Sequence, residues 1–459
     1  MKNLSIQSLL NLFLCMFPVS IILGSLILNI NLLFFVITSI IYIKQNKLKI
    51  EFNLANILLI SFFAFIIITT IYNYTLNGQG FILKSLLILR FLILYLILEI
   101  LIINNSLKLK NLFITSLCCT SFVCIDLIIQ YKFGYNLFGF EAQNSIKYNG
   151  VFYDKSVTGS YIQRISLFSI FGLLLFLDNK TYKNKLLFLI ILLHGIAILI
   201  APNRTSYVFY LLSIILLIFF AKNIRIYIFA SIITLILITG AIFDKDPYKK
   251  EIYKVFFSKV INFDYALNLK SDKKILNENL SEDEKISARK KLNFLFTDGE
   301  GSINRSAHGA IYLTAIESWK KNKLIGNGYR SFRINCWKIM EEQNVKYDPN
   351  KVLNQKLRCS NHPHNYHLEV LHDTGIIGFL LITIFVFVKI YDLLKIYFSS
   401  KNNHFENLYI IPILLAFLIE IWPIKPSGML FTSWNGTITW LIVALTSIKF
   451  TKIKELSNV

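Results

Sequence analysis

The run Cys359-Ser-Asn-His362-Pro-His364-Asn365-Tyr-His367-Leu-Glu369-Val-Leu-His372-Asp373-Thr-Gly375-Ile-Ile-Gly378 holds the densest cluster of proton-transfer groups in the chain. A neutral imidazole can take a proton from a hydroxyl at physiological pH. Pro363 disfavours the helical region for the residue before it and so fixes an extended approach. The spacing then predicts a helix from Asn365 onwards, with His364 at its start. Gly375 and Gly378 let that helix turn or pack closely farther along. Three roles compete for these histidines. Metal binding is one, although only His364 and His367 share a helical face and no Cys or carboxylate completes a ligand spacing. Capping and hydrogen bonding at a membrane interface is the second. A general base at His364 is the third, and the arginines favour it.

Arg90, Arg164 and Arg204 stand where cations are costly. Arg90 lies inside an apolar run, about 12 Å from its outer end at 1.5 Å per residue. Arg164 lies in the outer turn of another run, and Arg204 in the tight outer turn Ala201-Pro-Asn-Arg-Thr205. An intramembrane cation faces a cavity or a partner. The structural alternatives are an ion pair, with Glu99 or Asp126 as candidates, and snorkelling for Arg164. The functional reading is a diphosphate held at the bilayer surface, because guanidinium groups bind phosphate oxygens in pairs.

The elements that must position these groups follow from composition. Of 459 residues, 55% are hydrophobic and 16% charged, too apolar for a soluble enzyme of this length. Apolar runs of roughly 17–23 residues, long enough to cross a ~30 Å hydrocarbon layer, recur along the chain. The expected spans are 9–27, 29–43, 54–72, 82–103, 111–130, 160–177, 186–201, 205–220, 225–243, 375–397, 408–423 and 431–449. The first is read as an uncleaved span, since no small-residue cleavage site follows LFLCMFPVSIILG. The formal net charge of +21 sits mostly in short gaps such as KQNKLKIE, SLKLKN, NKTYKNK, AKNIR and the tail KFTKIKELSNV. That is cytoplasmic anchoring charge and sets the N-terminus inside; it is not a nucleic-acid surface. The fold class is therefore an all-α integral membrane protein of about twelve transmembrane helices.

This orientation leaves one large outer segment. The chain divides into residues 1–243 with nine spans, an outer loop 244–374, and residues 375–459 with three spans and a short tail. The loop is expected to be mainly helical. Ser281-Glu-Asp-Glu284 reads as a capping box before one helix, and Ile311, Ala315 and Trp319 mark another from Ser306 to Asn322. The loop holds five of the seven histidines and roughly six more basic than acidic residues, which suits an anionic ligand. Cys336 and Cys359 both fall in it, where an oxidising compartment permits a disulfide just ahead of the histidines. The other four cysteines lie in spans and read as apolar packing.

In these residues the chain resembles the O-antigen ligase and O-antigen polymerase superfamily of bacterial envelope glycosyltransferases. The resemblance rests on Asn149-Gly-Val-Phe-Tyr-Asp-Lys-Ser-Val-Thr-Gly-Ser-Tyr161, the Arg204 turn, Ile325-Gly-Asn-Gly-Tyr-Arg-Ser-Phe332, and His364-Asn365 followed by Gly375-x-x-Gly378. It implies transfer of a glycan from undecaprenyl diphosphate to an acceptor hydroxyl, without metal, nucleotide or other cofactor. The multi-pass protein would lie in the inner membrane with its site facing the periplasm. His364 would be the base and Arg204 a diphosphate ligand. A second family arginine has no clean match: by distance from the Gly326-x-Gly328 turn its place falls on His308, with Arg305 one helical turn earlier and Arg330 and Arg333 nearby. The acceptor would be lipid A-core for a ligase or a growing glycan for a polymerase, and the pattern favours the ligase. A lipid-linked oligosaccharide transporter is the rival from another class. It would bring internal repeats and broken helices, and no repeat is evident.

Overall fold

The computed structural model describes residues 5–77, 81–143, 147–177, 179–246, 249–251, 253–254, 307–342, 359–400 and 403–449. Arg305 and the helix expected from Ser281 lie outside the described residues. Among the described residues the chain is helical, with two isolated bridges, Tyr135–Glu141 and Gln143–Lys147, and no strand.

Fifteen α-helices are described: α1 Ile6–Leu23, α2 Ser25–Gln45, α3 Leu54–Asn77, α4 Ile82–Leu87, α5 Leu89–Ile103, α6 Leu109–Phe133, α7 Thr158–Phe176, α8 Lys180–Ile200, α9 Arg204–Phe220, α10 Arg225–Lys245, α11 Ala307–Lys321, α12 Phe332–Glu342, α13 Tyr366–Ser399, α14 His404–Glu420 and α15 Ser433–Leu445. Among the described residues, nine helical segments are long and apolar enough to cross a membrane, counting α4 and α5 as one. The other three expected spans are also helices but shorter, at 17 residues for α9 and α14 and 13 for α15. α7 is the most buried of the nine and packs against α6, α8, α9 and α14. α15 packs on α5, and α13 on α3, α11 and α14. The expected helix from Ser306 to Asn322 corresponds to α11.

α13 is where span and extramembrane part meet. Asn365 caps it, its Oδ1 accepting from the Leu368 N–H at 3.0 Å. The helix is then interrupted at Gly375, whose φ of 62° lies in the left-handed region. An unbroken helix would bond the N–H of Ile376 and Ile377 to the carbonyls of His372 and Asp373. Those four groups pair with the turn after α11 instead. Ile376 N–H donates to Lys323 O at 2.9 Å and Ile377 N–H to Leu324 O at 3.2 Å, while Asn327 N–H donates to His372 O at 3.0 Å and Gly328 N–H to Asp373 O at 2.9 Å. The exchange satisfies every backbone group the break releases, which a buried break requires.

The approach is so close that side chains are excluded. A Cβ on Gly326 would collide with the backbone of Asp373, Thr374 and Gly375, and one on Gly375 with the backbone of Leu324 and Gly326. α3 holds the turn from the other side: Asn73 Nδ2 donates to Gly326 O at 3.2 Å, and Tyr329 N–H donates to Thr70 Oγ1 at 3.0 Å. Gly378, one turn below, packs against Thr374 and Phe65.

Gly326→Ala or Gly375→Ala should each cost about 1–3 kcal/mol for left-handed backbone and a comparable amount for the clash. Thermal unfolding of detergent-solubilised protein measures this as a lowered midpoint. Gly240→Ala in α10, where a Cβ meets nothing within 4 Å, should leave the midpoint unchanged. Equal midpoints for all three variants would mean that the turn does not hold the break.

Candidate active site

Three elements bring the sequence-singled residues to the Asn365 end of α13. The first is the turn 322–331 between α11 and α12. Asp373 Oδ2 accepts from the Arg330 N–H at 3.0 Å and fixes that residue with φ 62°. Asp373 Oδ1 meets His372 Nδ1 at 2.8 Å, and His372 Nε2 meets Ser318 Oγ at 2.9 Å. His372 is fully buried in this relay, so its work is to join α11 to α13.

The second element is the segment 359–365. Cys359 is disulfide-bonded to Cys336 of α12, with Cα atoms 5.4 Å apart. His364 takes a left-handed φ of 56°. Its ring lies 4.1 Å from the His362 ring and 5.1 Å from the His308 ring on α11, centroid to centroid. Ser360 Oγ stands 2.9 Å from His364 Nε2.

The third element is the loop 421–430 between α14 and α15, which the sequence reading left unassigned. The Ser427 N–H donates to His364 O at 2.8 Å. Asn365 Nδ2 donates to Pro423 O at 2.7 Å, and His367 Nε2 lies 2.9 Å from Ile421 O. Glu369 Oε2 accepts from the Leu430 N–H at 3.1 Å. Asn365 therefore caps α13 and clamps this loop at once, which is reason enough for an amide beside His364. His367, one turn along, anchors the same loop rather than facing His364.

Arg90, Arg330 and Arg333 gather around this point. Arg90 reaches Ser433 Oγ at 3.2 Å and lies over the Phe91 ring at 4.6 Å. Arg330 lies over Tyr329 at 5.9 Å and Arg333 over Phe81 at 5.4 Å. The charges of both Arg90 and Arg330 act on the buried Tyr329 hydroxyl, and those of Arg330 and Arg333 on His362. Beneath them Phe431 joins Phe63, Phe91 and Tyr329 at 5.7, 6.2 and 5.8 Å, an apolar floor. The Nε atoms of all three arginines are buried and lack a hydrogen-bond partner among the described residues. A buried guanidinium N–H without an acceptor is costly, and an anion with several oxygens can satisfy such groups.

Electrostatics keep the histidines neutral. Burial first, then the neighbouring His362 and His308, lower His364 to about 3. Burial lowers His308, and burial together with Arg333, His308 and Arg330 lowers His362. Burial and the Arg330 charge also lower Arg333. Among the described residues, no cluster of His, Cys, Asp or Glu has the arrangement to hold a metal ion.

Arg164 and Arg204 stand apart from this group. Arg164 is buried against Glu420, its Nε donating to Oε2 at 3.0 Å and its terminal nitrogen to Oε1, and it also reaches Asn435 Oδ1 at 3.2 Å and Thr439 Oγ1 at 2.6 Å. Lys425 Nζ reaches the same Glu420 at 2.9 Å. The acids suggested by sequence are engaged elsewhere: Glu99 pairs with Lys389 at 3.6 Å, and Asp126 accepts from Leu137 N–H at 3.0 Å. Arg204 opens α9, half-buried near Tyr253, with no hydrogen bond or ion pair among the described residues. Beside it Thr205 and Ser206 line a pocket of about 50 Å³ whose other walls include Arg164, Lys425 and Ser427. Ser427 links that pocket to the His364 backbone. Sequence reasoning missed Glu420, Lys425, Tyr329 and Ser427; only the acid ending an apolar run, Glu420, left a signal that could have been read.

These features define a polytopic helical membrane protein in which three histidines and three arginines gather near the Asn365 end of α13. Residues 186–383 match the family model Wzy_C, O-antigen ligase, so this stretch of the chain is similar to the O-antigen ligase family. The matched stretch contains Arg204, His308, Arg330, Arg333, His364 and Asn365, while Arg90 and Arg164 precede it. No curated protein matches the chain.

Arg164→Met and Glu420→Gln should each lower the thermal midpoint strongly, since breaking one side of a buried pair costs about 3–5 kcal/mol. The double variant should lose clearly less than the sum of the two. Strict additivity in this cycle would mean that the two side chains do not depend on each other.

Proposed function

We propose that this protein transfers a glycan from undecaprenyl diphosphate to an acceptor hydroxyl at the outer face of the bacterial inner membrane, with lipid A-core as the acceptor. The observation that carries the reading is the set of three buried, unpartnered guanidinium Nε atoms on Arg90, Arg330 and Arg333, close to the neutral imidazole of His364. The match of residues 186–383 to the O-antigen ligase family model supports glycan transfer in O-antigen assembly as the general activity. In this reading the twelve helices all cross the bilayer. Residues 1–243 and 375–459 form the membrane part, and 244–374 the periplasmic loop that supplies His364, His308, Arg330 and Arg333.

The chemistry follows from the placement. Arg90, Arg330 and Arg333 bind the diphosphate oxygens, and Arg204 extends the cationic surface along the wall near its pocket. Arg164 holds α7, α14 and α15 in register through Glu420. The acceptor oxygen forms a bond to the anomeric carbon as the carbon–oxygen bond to the diphosphate breaks. The bonding pair leaves on the diphosphate, and the acceptor proton passes to His364. Ser360 Oγ stands at His364 Nε2 and the Ser427 backbone also bonds the ring, and the hydroxyl proton passes to the ring nitrogen that carries no hydrogen. Its pKa of about 3 describes the resting site. A bound diphosphate places negative charge nearby and raises it towards the useful range, so the base gains strength only when the donor is present. Neutralising the leaving group and fixing the geometry then supply most of the rate.

His364→Ala in the native host should reduce transfer by about 10²–10⁴-fold, with protein abundance unchanged. Glycolipid profiling reads the result: free core with accumulated long lipid-linked polymer supports the ligase. Core bearing a single repeat unit would make the enzyme a polymerase, and a normal profile would remove His364 from the mechanism.

The lowered pKa carries a sign. A base that must be deprotonated stays active until pH falls through its own pKa, so kcat/KM, which reports the free enzyme, should stay level from pH 7.5 to about 5. An acidic limb at the ordinary histidine value of ~6.5 would show that His364 is not held neutral by its surroundings.

A further inference from the structure

The 322–331 turn also borders a polar cavity of about 270 Å³ that none of the arginines lines. Four asparagines from four elements converge on it: Asn73 of α3, Asn322 at the end of α11, Asn327 of the turn and Asn335 of α12. Three of these amides spend their N–H groups inward. Asn322 Nδ2 donates to Asn327 Oδ1 at 2.9 Å, Asn327 Nδ2 to Ser318 O at 3.3 Å, and Asn73 Nδ2 to Thr69 O at 2.8 Å. Such bonds fix the amide planes before any ligand arrives and leave the Asn73 and Asn322 oxygens as oriented acceptors. Lys321 and Lys338 also line the cavity, with Ile339 as its apolar wall and no acid among the lining residues. Lys321 is held by Glu342 of α12.

We infer that this cavity is a glycan subsite holding one sugar ring of the substrate polysaccharide, with a preference for a ring bearing an acidic group. Fixed amide oxygens accept from ring hydroxyls, which are strong donors arranged around a small rigid body. Ile339 covers the apolar C–H face, and the lysines draw a carboxylate. The volume is that of about nine waters at ~30 Å³ each, enough for a single ring and too little for a folded partner. Its position is apt. Asn327 sits three residues before Arg330 on one rigid turn, and both are tied to the Gly375 break through Asn327 N–H to His372 O and Arg330 N–H to Asp373 Oδ2. A glycan reaching from this cavity towards the arginines would have its register set by the element that carries the diphosphate ligands.

This deepens the proposed glycan transfer and rests on it, but its test does not use turnover. The probe is the host's own surface polysaccharide, released from lipid by mild acid as oligosaccharides of one to three repeats. Binding to detergent-solubilised full-length protein is measured by titration calorimetry. Asn335→Ala and Lys338→Ala, at half-buried and exposed positions, should each weaken binding at least tenfold without shifting the thermal midpoint. His364→Ala should bind the oligosaccharide like the wild type. No binding to the wild-type protein, or equal binding by the Asn335 and Lys338 variants, overturns the subsite. Loss of transfer without loss of these binding effects, or the reverse, separates the subsite from the catalytic reading.

Discussion

Everything at the Asn365 end of α13 hangs on the way that helix is broken. A helix entering a bilayer cannot leave backbone groups unpaired, and a break normally does so. Here the carbonyls of His372 and Asp373 and the N–H groups of Ile376 and Ile377 are all taken by the turn 323–328. The break is thus a docking surface for another backbone. It fixes Tyr329 and Arg330 on one side of the turn and Asn327 on the other, and through Asp373 it sets the Arg330 main chain directly. Gly326 and Gly375 are one feature seen twice, because each lacks a side chain where the other segment passes, while Gly328 faces α3.

Two kinds of buried cation then divide the work. Arg164 has its carboxylate, and Glu420 in turn has Lys425, so that group is complete without a ligand. Arg90, Arg330 and Arg333 lie against aromatic faces and form no ion pair among the described residues, although the charges of Asp373 and Glu369 reach Arg333, and their Nε atoms lack acceptors among the described residues. A buried guanidinium N–H left without an acceptor destabilises a fold unless something else supplies the compensation. The aromatic floor under these arginines sharpens the point, since it lowers the local dielectric and strengthens any anion bound there.

Much of this was legible in the sequence, and the limits have physical causes. The apolar runs mark every helix of the bundle because length and hydropathy are local properties. His364-Asn365 reads as a helix start because a cap is local too. The pairing of 323–328 with the Gly375 break is not legible: it uses main-chain groups some fifty residues apart, and no side chain advertises it. Arg164 could be seen to need an acid, but the choice of Glu420 over Glu99 or Asp126 depends on α7 lying beside α14, which no local pattern encodes. In the same way Arg204 stood out by its position in a tight turn. The grouping of Arg90 on α5 with Arg330 of the 322–331 turn and Arg333 of α12 joins segments far apart in sequence, which no local pattern encodes.

In the proposed mechanism the same arrangement explains how a histidine with so low a pKa can serve as a base. His364 is buried beside two further histidines, so a proton on any one of them would repel its neighbours and suffer desolvation. The arginines nearby add to that repulsion at His362. An anion bound among them cancels the arginine charge felt by the histidines and adds an attraction of its own. Protonating His364 is then unfavourable in the empty site and much less so in the loaded one. A hydroxyl arriving alone meets a weak base and an undischarged cationic cluster. Under that mechanism only a site with the diphosphate in place holds both a stabilised leaving group and a base able to accept the proton, so the charges would impose an order of events.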